Sequence, residues 1–159
     1  MPIYMKYDGI DGDVTSAGHE KWIELTSFQW GVGRGIHQRT GRGADRESSA
    51  PSVSEIVVTK NQDLATTKLL DEALHGEGKK VQIDFVKTDK GKLETYLLYK
   101  LENVMVSGYS ISGAGDGRPS ESISLNFTKI EYKGTNMGVG NKGAGAASVT
   151  YDLASAKVV

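Results

Sequence analysis

The stretch LETYLLYKLENVMVSGYS (residues 93–110) alternates apolar and polar side chains but changes phase once. Leu97 and Leu101 occupy odd positions, whereas Val104 and Val106 occupy even ones. Alternation with a period of two is typical of a strand that buries one face. A step of three is what one extra residue in a β-bulge produces, and the bulge bends the strand while its apolar side chains stay directed at one core.

Two further stretches change phase in the same way. In WIELTSFQW the change falls between Leu25 and Phe28, and in SESISLNFTKIEYK it falls between Phe127 and Ile130. Bent, mostly antiparallel strands of this kind favour a small β-barrel of two curled sheets. The alternative is that these positions are buried on both sheet faces.

Shorter alternating runs predict further strands at residues 3–7, 54–60, 81–85 and 149–153. One helix is predicted within residues 63–75, flanking the barrel. Thr66 can cap its N-terminus and Gly76 can end it in a left-handed conformation. The apolar stripe expected to face the core consists of Leu70, Ala73 and Leu74.

Two segments lack apolar periodicity. Residues 31–52 hold four arginines and five glycines, and a connection of this length inside a compact domain is usually functional or disordered. Residues 134–146 form a second, Gly-rich connection that leads to the last strand. No internal repeat or boundary divides the chain, so residues 1–159 are predicted to form a single domain.

The overall composition bounds the possible functions. The 159 residues include 19 Lys plus Arg and 20 Asp plus Glu, so the net charge of −1 gives no general attraction to nucleic acid or anionic lipid. The absence of cysteine excludes disulfides and thiolate metal sites. No apolar run approaches the length of a membrane span, and the N-terminus does not resemble a signal peptide. We therefore expect a protein made in the cytoplasm that needs a dedicated apparatus to leave it.

The motifs that carry chemistry are absent or out of context. GVGNKG (138–143) matches G-x-G-x-x-G, but it leads into a predicted strand instead of the helix that a dinucleotide site requires. His19, His37 and His75 lack metal-ligand spacing, and no G-x-S-x-G elbow is present. We therefore predict no catalytic, cofactor or metal site and no enzymatic activity.

The arginines of the long loop leave one alternative function open. Arg34, Arg39, Arg42 and Arg46 could bind a nucleic-acid backbone, with His37 between them. No aromatic residue in the loop offers a platform for stacking bases, and Asp45 and Glu47 lower the local charge. A solvated loop or one that contacts another protein is the competing interpretation.

Four segments together resemble the Hcp (haemolysin-coregulated protein) family of the bacterial type VI secretion system. They are HEKWIELTSFQWG (19–31), DLATTKLLDEA (63–73), LENVMVSGYS (101–110) and DGRPSESISLNFTKIEY (116–132). The order and spacing of these segments are those of the family. One departure is visible, since Thr66-Thr67 stands where family members often have Ser-Pro at the start of the helix.

The resemblance implies a structural subunit of the secretion tube. Six copies would form a ring, and rings would stack head-to-tail into a tube that a contractile sheath expels. The implied partners are further copies of the chain, the spike protein at the tip, the sheath and small effectors carried in the lumen. Neither nucleic acid nor membrane insertion is implied, and export would not use a signal peptide.

The candidate residues for this function lie around the long loop. Alternation directs Phe28 and Trp30 into the core as anchors, and Gln29 between them faces outward. By similarity to the family, that outward side lines the lumen. The loop would reach a neighbouring subunit, and its predicted interface residues are Arg34, His37, Arg39, Arg42 and Arg46.

Overall fold

The computed structural model describes residues 1–38, 46–48, 50–137 and 143–159. Helix α1 (Thr66–His75) interrupts a succession of strands. In chain order these are β1 (Ile3–Tyr7), β2 (Ile23–Leu25), β3 (Ser27–Gln29), β4 (Val32–Gly33), β5 (Ile36–Gln38), β6 (Arg46–Ser48), β7 (Ser52–Val53), β8 (Ile56–Asn61), β9 (Lys79–Asp89), β10 (Lys92–Ser112), β11 (Ser120–Asn126), β12 (Lys129–Met137), β13 (Gly143–Asp152) and β14 (Lys157–Val158).

The body consists of two curled antiparallel sheets that share β10. Sheet A contains β2, β1, β9, the first half of β10, β12, β13 and β14 in that order. Sheet B contains the second half of β10, then β11, β8 and β3. The mainly β prediction, with curled antiparallel sheets and one flanking helix, is confirmed.

All three predicted phase changes fall where the chain passes from one sheet to the other. In β10 the register against β9 shifts between Leu101 and Val104, and Asn103 has a positive φ of 54°. The predicted bulge is therefore confirmed at this position. Beyond it, β10 leaves its ladder with β12 in sheet A and pairs with β11 in sheet B.

The bulge prediction is wrong at the other two positions. Between Leu25 and Phe28 the chain leaves β2 in sheet A and enters β3 in sheet B, and the Thr26 N–H bonds the carbonyl oxygen of Thr59 at 2.7 Å. Between Phe127 and Ile130 it returns from β11 to β12. A corner between two sheets that enclose one core changes which side of the strand faces inward, so it produces the same phase change as a bulge.

The core lies between the two sheets and α1. Its fully buried aliphatic side chains come from both sheets and the helix, and they include Met5, Ile23, Ile56, Val58, Leu69, Ile83, Val104, Ile123 and Leu125. Burying one such side chain contributes about 1.5–3 kcal/mol. The core therefore depends on the two sheets facing each other closely.

Helix α1 differs from its prediction at the N-terminus. Thr66 is the first helical residue and not its cap, and Ala65 before it supplies no capping side chain. Asp63 serves instead, because its carboxylate accepts a hydrogen bond from Ala65 N at 2.9 Å. Thr66 completes the turn by accepting one from Asp63 N at 3.0 Å. The two side chains together satisfy main-chain donors at the helix start.

The buried face of α1 also differs from the predicted stripe. Leu69 is fully buried, whereas Leu70 is 42% and Leu74 is 74% exposed. Ala73 packs against the core as predicted. The helix has only ten residues, so a single narrow face meets the sheets, and that face is set by Leu69.

Gly76 ends the helix, but not in the left-handed conformation that was predicted. Gly76 is extended, with φ −73° and ψ 159°, so the left-handed prediction is wrong. A Cβ atom at this position would lie 2.6 Å from the carbonyl oxygen of Glu72, which is closer than side chains allow. Close approach to the preceding turn therefore favours glycine here.

A buried ionic cluster joins sheet B to the helix. Lys60 and Glu121 are fully buried neighbours on β8 and β11, and their side chains form an ion pair. Lys60 Nζ also lies 2.8 Å from the carboxylate of Asp63, and the Thr66 hydroxyl donates to Glu121 at 3.0 Å. Tyr109 donates to the other Glu121 oxygen, and burial together with this bond raises the pKa of Tyr109. The full set of partners offsets much of the cost of burying the charges.

Lys60→Met is expected to lower the free energy of unfolding by about 3–5 kcal/mol, because it leaves the Glu121 carboxylate buried without its cation. Adding Glu121→Gln removes that charge and keeps a partner for Tyr109, so the double variant should recover most of the loss. Urea unfolding of the three proteins measures both values. A loss below about 1 kcal/mol in the single variant would contradict this assignment.

Candidate assembly surfaces

Residues 31–53 leave the body as an arm built from short antiparallel ladders. Strand β4 pairs with β7 at the base, and β5 pairs with β6 farther along. Among the described residues, each ladder forms its own two-stranded sheet, separate from sheets A and B. The loop predicted at 31–52 therefore has strand structure in the parts that are described.

Ser54 holds the base of the arm. Its hydroxyl accepts a hydrogen bond from Gly31 N at 2.9 Å, and its own N–H donates to Gly31 O at 2.9 Å. Its carbonyl oxygen accepts a third bond from the Trp30 indole at 3.1 Å. These three bonds fix the point at which the arm leaves the body.

Residues 32–36 of the arm present uncovered side chains of mixed character. Val32 is 55% and Ile36 is 53% exposed, and Arg34 between them is also exposed. Arginine is enriched and lysine depleted at protein interfaces, whose cores are apolar. The base of the arm therefore has a composition suited to contact with another protein.

The structure describes only some of the predicted interface residues. Arg34 lies between β4 and β5, and the main chains of His37 and Arg46 lie in β5 and β6. Arg39 and Arg42 lie outside the described residues. The structure thus brings His37 and Arg46 onto adjacent strands of one ladder.

Phe28 and Trp30 are half-buried against an aromatic group. The Phe28 ring centroid lies 4.8 Å from that of Tyr99 and 5.2 Å from that of Phe85, the latter edge-on. Trp30 meets Tyr99 edge-on at 5.8 Å. Gln29 is exposed on the opposite side of β3, which agrees with alternation along a strand.

An apolar cleft of about 320 Å³ opens beside the base of the arm, and sequence analysis did not predict it. Trp30, Tyr99, Ile130, Tyr132, Val149 and Tyr151 line it. Tyr99, Tyr132 and Val149 are in register on β10, β12 and β13, so the cleft follows neighbouring strands. Burial raises the pKa of Tyr99, with a smaller contribution from Tyr132. These aromatic side chains meet only because their strands are paired, and the sequence patterns do not reveal which strands pair.

The outer face of sheet A is densely charged. A broad concavity of about 640 Å³ on this face is lined by side chains of both signs from four strands, among them Lys6, Lys80, Lys100, Glu102, Lys129 and Glu131. The register places Lys100 opposite Glu131 and Glu102 opposite Lys129. Opposite charges on facing residues make this a solvated, balanced surface.

A second buried polar pair, His19 and Asp84, was not predicted from the sequence. His19 Nε2 lies 2.8 Å from the Asp84 carboxylate, which accepts a further bond from Gln82 at 2.9 Å. Both members are buried, and the Trp22 ring covers His19 edge-on at 4.6 Å. The pair fastens the segment before β2 to β9. The two residues are 65 positions apart in the chain, so no sequence motif could reveal their contact.

Within the described residues, no group of three or more His, Cys, Asp or Glu side chains is arranged to hold a metal ion. The same residues contain no helix with the length and apolarity needed to cross a membrane.

Comparison with known proteins identifies the family. The family model described as "Type VI secretion system effector, Hcp" matches residues 4–133. A solved structure described as a type six secretion system protein is 28% identical, with a TM-score of 0.91 and coverage of 99% of each chain. The search of curated proteins found no match.

Two further structures extend the comparison. A type VI secretion system effector from Yersinia pestis is 25% identical, with a TM-score of 0.76 over 94% of this chain and 98% of that one. Hcp1 from Salmonella typhimurium has the same fold at 22% identity, with a TM-score of 0.77 over 99% and 98%. The chain belongs to the Hcp family of the type VI secretion system.

Trp30→Ala is expected to lower the free energy of unfolding by about 2–4 kcal/mol, less than for a fully buried tryptophan, because it empties one wall of the aromatic group. Gln29→Ala on the exposed side should change it by no more than about 0.5 kcal/mol. Chemical unfolding of both variants makes the comparison. Equal losses would place Gln29 in the packed interior.

Proposed function

We propose that this chain is the structural subunit of the inner tube of a type VI secretion apparatus. Six copies close into a ring, and rings stack head-to-tail. The tube leaves the bacterial cytoplasm through the apparatus, without a signal peptide, and carries small effectors in its lumen. The spike protein and the contractile sheath are the other partners, and the subunit itself performs no catalysis.

The observation that carries the proposal, beside family membership, is the arm. Its ladders are separate from both body sheets in the described residues, and Val32, Arg34 and Ile36 are uncovered. Uncovered aliphatic groups lose the free energy of burial unless another surface covers them. A neighbouring copy supplies such a surface in every subunit of a ring, because a heterologous interface repeats until it closes.

The arginines can form hydrogen bonds of defined geometry within that contact. Guanidinium groups form paired, charge-assisted bonds with carboxylates or carbonyl oxygens of a partner. We place Arg34, Arg39, Arg42, Arg46 and His37 at the subunit or ring interface. Phe28 and Trp30 anchor the strand that leads to the arm, and Gln29 faces the lumen.

The purified chain is expected to form a six-subunit particle at micromolar concentration. Light scattering gives the mass, and negative-stain microscopy shows annular particles and their stacks. A monomer at these concentrations would count against the proposal. Salt-dependent retardation of DNA by such a monomer would instead favour nucleic-acid binding through residues 34–46.

Deletion of residues 36–48 is expected to leave a folded body that no longer assembles, because the described strands of the arm pair with each other and not with sheets A and B. A second variant replaces the same residues with a Gly/Ser segment of equal length. If side chains make the contact, both variants lose assembly, as measured by light scattering, while circular dichroism shows intact strands. Normal rings and stacks from both variants would refute the role of the arm.

A further inference from the structure

The buried ionic cluster beside the start of α1 holds an amine next to a carboxyl group. Lys60 Nζ lies 2.8 Å from Oδ1 of Asp63, and the carboxyl carbon of Asp63 is one bond beyond that oxygen. The Lys60 side chain has no exposed area, and that of Asp63 is only 10% exposed. An amine and a carboxyl group are therefore held together where little water reaches them.

A second carboxylate contacts the same amine. Glu121 is fully buried, and its Oε2 forms an ion pair with Lys60 Nζ. One ammonium thus lies between two carboxylates, and the negative groups outnumber the positive one. A single carboxylate would neutralise Lys60, and burying another adds a desolvation cost. Charge balance alone therefore does not explain why both carboxylates meet this amine.

Neighbouring groups fix the orientation of both carboxylates. Tyr109 donates a hydrogen bond to Oε1 of Glu121, and the Thr66 hydroxyl donates one to Oε2 at 3.0 Å. Oδ1 of Asp63 accepts a bond from Ala65 N at 2.9 Å. Groups held in one geometry react faster than free ones, because their freedom of movement has already been lost on folding.

We propose that Lys60 and Asp63 condense in the folded chain to an intramolecular amide, an isopeptide bond, with Glu121 as the proton carrier. The Lys60 nitrogen gives up a proton to Glu121 and attacks the carboxyl carbon of Asp63. The N–C bond forms and one C–O bond of the carboxyl group breaks. Two protons from the ammonium leave with that oxygen as water, and the third stays on the amide. Glu121 passes protons to the leaving oxygen and ends ionised, as it began.

Burial favours the amide over the separate ions. In water an ammonium and a carboxylate are stabilised by hydration, and this hydration is already lost inside the cluster. Condensation replaces two buried charges with one neutral amide and releases a water molecule. The amide N–H remains available to Glu121, so that carboxylate keeps three donors, with Tyr109 and Thr66 as the other two.

Another ion pair in the same chain provides an internal control. Lys79 and Glu72 are also in direct contact, but the Lys79 side chain is 33% exposed. Among the described residues, Glu72 is the only carboxylate within ion-pair distance of Lys79 Nζ. Water can hydrate this amine and no second carboxylate is placed to move its protons, so this pair stays ionic.

The bond gives the fold a covalent link that does not depend on redox conditions. It closes a loop over residues 60–63, so the start of α1 stays tied to the end of β8 when other contacts break. The chain has no cysteine, so a disulfide cannot supply such a link. Lys60→Met removes the ammonium and the bond alike, so a loss of stability is expected in either state. The inference is independent of the assembly proposed above.

Mass spectrometry of the intact, full-length chain tests the bond directly. The folded and then denatured chain should be lighter than its sequence by one water molecule. Trypsin cleaves after a free lysine but not after an acylated one, so digestion should yield residues 47–68 as one peptide, uncut at Lys60 and without a link between Lys79 and Glu72. The full sequence mass, with cleavage after Lys60, would overturn the inference and leave the cluster purely ionic.

Loss of water at another site has to be distinguished. Asp8, Asp11 and Asp116 each precede a glycine, and such an aspartate can lose water by closing a succinimide ring. A succinimide opens again in mild base, whereas the proposed amide does not. Fragmentation of the 47–68 peptide places the lost water. A loss confined to these three aspartates would also overturn the inference.

Three variants assign the roles, with circular dichroism as the measure of folding. Asp63→Ala lacks the carboxyl carbon and should keep its full mass. Asp63→Asn should form the same bond with loss of ammonia, so its product has the same mass as that of the unmodified chain. Glu121→Gln keeps a partner for Tyr109 but cannot carry protons, so bond formation should slow on the order of 100-fold.

The opposite results would contradict the mechanism. Loss of water from a folded Asp63→Ala protein would place the reaction elsewhere, and an unchanged rate in Glu121→Gln would remove Glu121 from it. The two Asp63 variants decide whether the bond forms even if Glu121→Gln fails to fold, because Asp63 lies at the edge of the cluster.

Discussion

The fold depends on one strand that serves two sheets. Strand β10 pairs with β9 and β12 in its first half and with β11 in its second, and Asn103 lies at the bend between them. Because both halves must direct apolar side chains at the same core, the alternation has to change phase at the bend. The same requirement applies where β2 continues into β3 and where β11 continues into β12, so three corners bring the two sheets around one interior.

This constraint explains which parts of the fold the sequence could predict. Strand positions follow from alternation, and the phase changes located every corner, although they did not distinguish a bulge from a change of sheet. The face of α1 could not be predicted with the same success, because Leu69, Leu70 and Leu74 offer two possible apolar stripes on one short helix. Only the packing of the sheets makes Leu69 the buried one.

The buried polar groups could not be predicted from the sequence for another reason. Lysine and glutamate are usually exposed, so nothing in the local sequence marks Lys60 and Glu121 as interior. Their burial depends on β8 lying beside β11, with Asp63 and Thr66 arriving from the helix start. The aromatic cleft beside Trp30 is the same kind of feature, since its rings come from strands whose pairing had first to be known.

The surfaces of the protein follow from the same architecture. A curled body with two sheets has two outer faces, and the arm leaves from the end of β3, at the edge of sheet B. The position of the arm follows from the strand order, because β3 is the last strand of sheet B. The two faces differ in chemistry, because facing lysines and glutamates cover the outer side of sheet A, whereas Thr59 and Ser122 face each other on sheet B. Opposite charges on facing residues explain why sheet A tolerates a solvated outer face.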